Sequence, residues 1–207
     1  MSQSTPLPVI RKALGDCWDE LETIVKRHYD ITPGNKTSMT IKGVMGEVYH
    51  SKIAKLFLLP GRLFGALVPY QGKNIPTEVR NWTTNDNSMA MFWHRTLHFP
   101  DKAPVIFSSR MEHINGNEIV EYVKHGMGIR MLLSEHDASL VFKGIGYVWK
   151  IGHITLHIPN WMILGDAVII EKALSETAFF MDFKITHPLF GRTFSYSGTF
   201  AIDESDG

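Results

Sequence analysis

The chain has one cysteine, Cys17, in 207 residues. No disulfide can form within it, which points to a reducing, cytoplasmic setting. Charge excess is missing as well: 21 Lys and Arg face 21 Asp and Glu, for a formal net charge of zero with neutral histidines. Without a basic surplus the chain lacks the electrostatic footprint of a protein that holds nucleic acid or an anionic membrane surface. Long apolar runs are also lacking. The most hydrophobic stretch, 52–70, is interrupted by Lys55, Pro60, Gly61 and Arg62, well short of the roughly 20 apolar residues of a spanning helix, so no transmembrane segment is expected. The N-terminal residues MSQSTPLPVIRKALGDCW have no basic start, apolar run and small-residue cleavage site, so they do not form a signal peptide. The N-x-[ST] matches at Asn35 and Asn81 are accordingly read as chance.

Hydrophobic residues, 44% of the chain against 20% charged, suffice for a substantial core, and 1–207 is read as a single domain. Over 9–29 apolar residues recur at Ile10, Leu14, Trp18, Leu21, Ile24 and Val25, the spacing of one amphipathic helix. Cys17 is placed on its apolar stripe beside Trp18. Pro33, Gly34 and Asn35 mark a turn. Residues 39–68 then hold a strand, 39–49, favoured by Ile41, Val44 and Val48, and a helical cover that Ser51 caps and Pro60-Gly61 bends.

From residue 75 the apolar period becomes two, and an antiparallel sheet is expected over 75–202. Its strands are 78–84, 89–99, 105–114, 118–125, 129–134, 140–149, 151–158, 167–174, 178–186 and 193–202. Connections this short leave no room for crossover helices. So many strands favour a strongly curved sheet or partly closed barrel, covered by the N-terminal helices: a β-rich α+β fold. A frayed tail is expected at 203–207.

Catalytic and cofactor signatures fail on spacing. Gly144-Ile145-Gly146-Tyr147-Val148-Trp149 begins like a dinucleotide-binding turn but ends in Trp, within a strand-like run. A phosphate cradle is absent, and Ser197 lacks the glycines of a nucleophile elbow. His153 and His157 stand about 13 Å apart in a strand, too far to share an ion. No cofactor and no metal is expected.

The informative pair is Arg95 and Glu121. In Met89-Ala90-Met91-Phe92-Trp93-His94-Arg95-Thr96-Leu97-His98-Phe99, alternation sets Arg95 on the face of Met89, Met91, Trp93, Leu97 and Phe99. Glu121 sits likewise between Ile119 and Val123. An unpaired charge on such a face is severely penalised, so the two meet each other, a ligand, or water in a cavity. Three readings stay open: a register-fixing salt bridge, a polar anchor in an apolar pocket, or acid–base catalysis. Arg110 and Glu112, on the opposite face from Phe107 and Met111, would extend the network. Phe92, Trp93, Trp149, Phe179, Phe180, Met181 and Phe183 supply a pocket-like lining.

The order and spacing of several features resemble a bacterial family of domains of unknown function, number 4166 in that series, which occurs alone or fused behind saccharopine-dehydrogenase-like oxidoreductases. The features are Gly43 and the helix after it, Ile75-Pro76, Trp93-His94-Arg95, Ser108, Glu121, Ile158-Pro159, His187-Pro188-Leu189-Phe190-Gly191 and Tyr196-Ser197-Gly198. The resemblance lends Arg95 and Glu121 weight as family positions; the sequence departs from the fused members in showing no N-terminal nucleotide-binding portion, so any redox role is expected to come from a separate partner.

The leading functional expectation is therefore non-catalytic binding of a small hydrophobic or amphipathic molecule, such as a lipid, with Arg95 holding a carboxylate or other polar head. Glu121, Trp93 and Arg110 complete that site. The alternatives are a structural or interaction module, as a homodimer or oxidoreductase accessory, and an enzyme with Glu121 as base and His94 as acid.

Overall fold

The computed structural model describes residues 6–33, 38–55, 68–84 and 89–203. Eleven strands follow the N-terminal helices: β1 Ser38–His50, β2 Gly72–Trp82, β3 Met91–Leu97, β4 Val105–Asn115, β5 Glu118–Tyr122, β6 Met127–His136, β7 Ser139–Ile151, β8 Ile154–Ile158, β9 Asp166–Ala173, β10 Ala178–His187 and β11 Gly191–Ile202. β1 to β7 pair in sequence order. β7 then pairs with β9, which is followed by β10, β11 and finally β1 again. Ten strands thus close an antiparallel barrel, which leaves none of them with an open edge. The expected curved sheet is a closed one.

β8 stands outside the ring. β7 pairs with β9 through Leu140–Lys143 and with β8 through Tyr147–Ile151. The change of partner falls at Gly144-Ile145-Gly146, where the β6 register shifts by one residue. A Cβ at Gly144 would press on Ala167 of β9, so this G-x-G serves close strand packing and a bulge. Gly43 plays a similar part: a Cβ there would collide with the Thr199 carbonyl and with Phe200.

The N-terminal helical spacing is realised in three pieces, not as the single helix expected over 9–29. α1 spans Val9–Leu14, a 3₁₀ segment spans Gly15–Glu20, and α2 spans Thr23–Tyr29. Gly15 adopts φ 58° and Leu21 is extended, and these two residues break the helix. The tighter winding also corrects the placement of Cys17, which is exposed while Trp18 is buried. The predicted cap is present: the amide of Ala54 donates to Ser51 Oγ at 3.1 Å. Most of the helical cover expected after it lies outside the described residues. Of the expected frayed tail, Asp203 is held by Lys42 at 2.5 Å and by a bond from its amide to the Thr40 carbonyl at 2.9 Å, and the remainder lies outside the described residues.

α2 enters the barrel mouth. The His28 ring lies 5.3 Å from Trp93 on β3 and 4.7 Å from Phe179 on β10, strands well separated around the ring, so it can reach both only from inside. One hydrophobic core joins Ile10, Trp18, Ile24 and Val25 of the helical segments to inward residues of the barrel such as Met91, Phe142, Phe179 and Phe200. A second, smaller core gathers Tyr147, Leu164, Phe183, Ile185 and Phe194. Each fully buried side chain of this size contributes about 1.5–3 kcal/mol. No helix among the described residues is long and apolar enough to cross a membrane.

Candidate functional site: a cavity inside the barrel

The lumen retains a cavity of about 310 Å³. Its wall is mostly apolar, with Ile41, Val79, Leu97, Phe142, Ile169 and Phe194 among the lining residues. Five of the ten methionines, Met45, Met111, Met127, Met131 and Met181, also line it. Two polar clusters interrupt this wall.

The first is built on three adjacent strands. Alternation turns Arg95 of β3 inward, Ser109 of β4 lies two residues from its cross-strand partner Phe107, and Glu121 of β5 pairs with Met111. The Arg95 guanidinium donates to Glu121 Oε1 at 3.0 Å and to Ser109 Oγ at 2.8 Å, and the Ser109 hydroxyl donates to the same Glu121 oxygen. The Trp93 and Phe107 rings flank the guanidinium, with centroids 4.7 and 5.0 Å from its central carbon. Burial opposes the Arg95 charge, but Glu121 and the nearby Tyr196 and Tyr29 favour it, and its pKa is raised on balance. Both partners of the pair keep 12% of their side-chain surface open. The remaining Arg95 N–H groups and Glu121 Oε2 have no partner among the described residues, and they are not among the fully sealed atoms of the interior.

The second cluster was not foreseen. Glu171 of β9 accepts from the Tyr29 hydroxyl at 2.8 Å through Oε1 and contacts His28 Nδ1 at 3.2 Å through Oε2. His28, Tyr29 and Glu171 each expose only 2% of their surface. Burial first, and then Glu171, push the Tyr29 pKa well above its usual value. His28 Nε2 and, beside the cavity, Trp93 Nε1 are sealed with no hydrogen-bond partner. Besides Tyr147 of β7, whose hydroxyl donates to the Gly165 carbonyl at 3.2 Å, the wall carries Tyr196 of β11. It lines the cavity, and its hydroxyl has no hydrogen-bond partner among the described residues. Burial pushes its pKa up to about 12, partly offset by the Arg95 charge.

The residues singled out in the sequence divide accordingly. Arg95, Glu121 and Trp93 come together at the cavity. Arg110 does not join them: it lies on the outer face of β4, its Nε 2.8 Å from Glu112 and its guanidinium over Tyr122. His94 is also outward, hydrogen-bonded to Ser108 at 3.0 Å, so it cannot act with Glu121 on one substrate in the lumen. Met181 and Phe183 line the cavity and Phe179 stacks on His28. Phe92 instead stacks on Trp82, Phe180 lies by Lys172, and Trp149 donates to the His125 carbonyl at the surface.

Glu171 carried the same signal as Glu121, since it shares the parity of Ala167 and Ile169. Val168 and Ile170, each 37% exposed, concealed it by making both faces of β9 apolar.

No curated protein and no solved structure matches the chain. Residues 21–200, which include both polar clusters and all of the barrel but the last two residues of β11, match a family described as a domain of unknown function (DUF4166). The chain belongs to that family.

Proposed function

We propose that the barrel binds a small, largely apolar molecule in its lumen without transforming it, with Arg95 as the polar anchor and Glu121 and Ser109 fixing its orientation. The carrying observation is an apolar cavity of about 310 Å³ that has one end furnished with incompletely paired polar groups. That volume lies at the small end of ligand sites, at about 300–1,000 Å³. At about 30 Å³ per water-sized group it holds roughly ten non-hydrogen atoms. The methionine lining favours an occupant of irregular shape, because unbranched thioethers repack with little strain. Binding without turnover is supported by the state of the carboxylates: Glu121 is tied to Arg95 and Ser109, and Glu171 is tied to Tyr29 and His28.

A second reading, association of two copies, draws on β8. Among the described residues this strand pairs on one side only, and its Ile154 and Leu156 are 64% and 46% exposed. Free edges of this kind invite pairing with another strand.

Native mass spectrometry of the freshly purified chain tests both. The luminal reading expects a monomer carrying an added mass of about ten non-hydrogen atoms, removed by organic extraction and restored by 1-decanol. A chain that carries nothing and takes up no 1-decanol contradicts it, and a ligand-free dimer favours the second reading.

A further inference from the structure

The charges around the cavity narrow the chemistry of its occupant, given the luminal binding proposed above. Among the described residues, one guanidinium, Arg95, shares the cavity wall with two carboxylates, Glu121 and Glu171. Arg95 is already balanced by Glu121 at 3.0 Å, and aromatic rings flank its plane. Among the described residues, His28 is the other wall residue able to bring positive charge, and its Nδ1 is committed to Glu171. A carboxylate entering this space would be a third anion around one paired arginine, in surroundings where uncompensated charge is strongly disfavoured. A cation fares no better. Glu171 is sealed with both oxygens engaged, and Glu121 is shared with Arg95.

What stays open is hydrogen bonding without net charge. The unused Arg95 N–H groups and the Tyr196 hydroxyl are donors, and Glu121 Oε2 is an acceptor. We infer that the occupant is an uncharged amphiphile whose polar end is a single hydroxyl or carbonyl oxygen, received by Arg95 and Tyr196, and that carboxylates and amines of the same length are rejected. Tyr196 is then a specificity-determining residue. Its raised pKa keeps the phenol protonated, and therefore a donor, throughout the neutral range. Of the carboxylate or other polar head expected from sequence, this leaves a neutral oxygen, because Glu121 already fills the place of a carboxylate.

The test is calorimetric titration of the full chain at pH 7.5 with four ten-carbon probes: butylbenzene, 1-decanol, decanoate and decylamine. The expected result is that 1-decanol binds at least tenfold more tightly than decanoate and decylamine. Tyr196→Phe should weaken 1-decanol at least threefold while leaving butylbenzene unchanged, which separates loss of the hydroxyl from loss of the fold. Decanoate or decylamine binding as tightly as 1-decanol overturns the inference and leaves the luminal site standing. Equal affinity of the Tyr196→Phe variant and the parent chain for 1-decanol removes Tyr196 from recognition. If none of the four probes binds, the luminal reading itself fails.

Discussion

The two carboxylates of the barrel interior have opposite surroundings. Glu171 is enclosed by α2 and β10, both of its oxygens are used, and its partners His28 and Tyr29 are as deeply buried as it is. Glu121 lies on a three-strand ladder with Arg95 and Ser109, and it retains an unpaired oxygen and some open surface. The difference follows from what covers each one. A helix terminus fills the lumen over Glu171, whereas the Arg95 side of the lumen is left as cavity. A buried carboxylate with both oxygens engaged holds a fold together, and one with an oxygen left over beside a cavity has hydrogen bonds left for a guest. Substitutions in the Glu171 cluster should therefore act on stability and those in the Glu121 cluster on binding.

The largest expected effect is at the closed cluster. Glu171→Leu leaves the Tyr29 hydroxyl and His28 Nδ1 buried without their partner, at about 1–3 kcal/mol each, so chemical denaturation should show a loss of about 3 kcal/mol or more. Glu171→Gln, which keeps an acceptor for Tyr29, should lose less than half of that. A loss from Glu171→Leu as small as a surface substitution would erase the contrast between the clusters.

At the open cluster, Arg95→Met strands Glu121 beside the cavity. Its partial exposure moderates the penalty to about 2 kcal/mol, below the 3–5 kcal/mol seen for fully buried pairs. Adding Glu121→Leu should recover most of this loss, because the pair is then replaced by apolar groups as a unit. Both variants should lose 1-decanol binding. Retained binding in the stable double variant would mean that the pair is purely structural.

Alkaline pH compares the clusters through their tyrosines. Tyr29 and Tyr196 both have folded-state pKa values raised by burial. Above about pH 10 the unfolded chain ionises while the folded one stays protonated, so stability falls as pH rises, by about 1.4 kcal/mol per pH unit for each tyrosine. For Tyr196 this loss should level off near its folded value of about 12. Tyr196→Phe should reduce the slope of stability against pH between 10 and 12, and an unchanged slope would place that phenol in contact with bulk water.

Much of the barrel was legible in the sequence. All eleven strands were foreseen, most of them within a few residues at either end, although β2 begins at Gly72, six residues before its expected start; a barrel wall with one dry face leaves a period of two. Arg95 and Glu121 stood out for the same reason: each interrupts an otherwise apolar face. Closure was not legible, since it depends on β7 changing partner at Gly144-Ile145-Gly146, a pairing that no local pattern encodes. The His28 and Tyr29 contacts were hidden because helical periodicity marks a buried stripe but not what it meets. The break at Gly15 escaped because the apolar spacing continued across it.

The central claim, that the lumen is a binding site, is tested most directly by ¹³C-methyl NMR of the methionines during titration with 1-decanol. Met45, Met111, Met127, Met131 and Met181 line the cavity, whereas Met89 and Met162 are about half exposed on the outside. The account predicts saturable shifts at the five lining methyls, with Met89 and Met162 unmoved. Shifts confined to Met89 and Met162, or no saturable shift at any lining methyl, would contradict it.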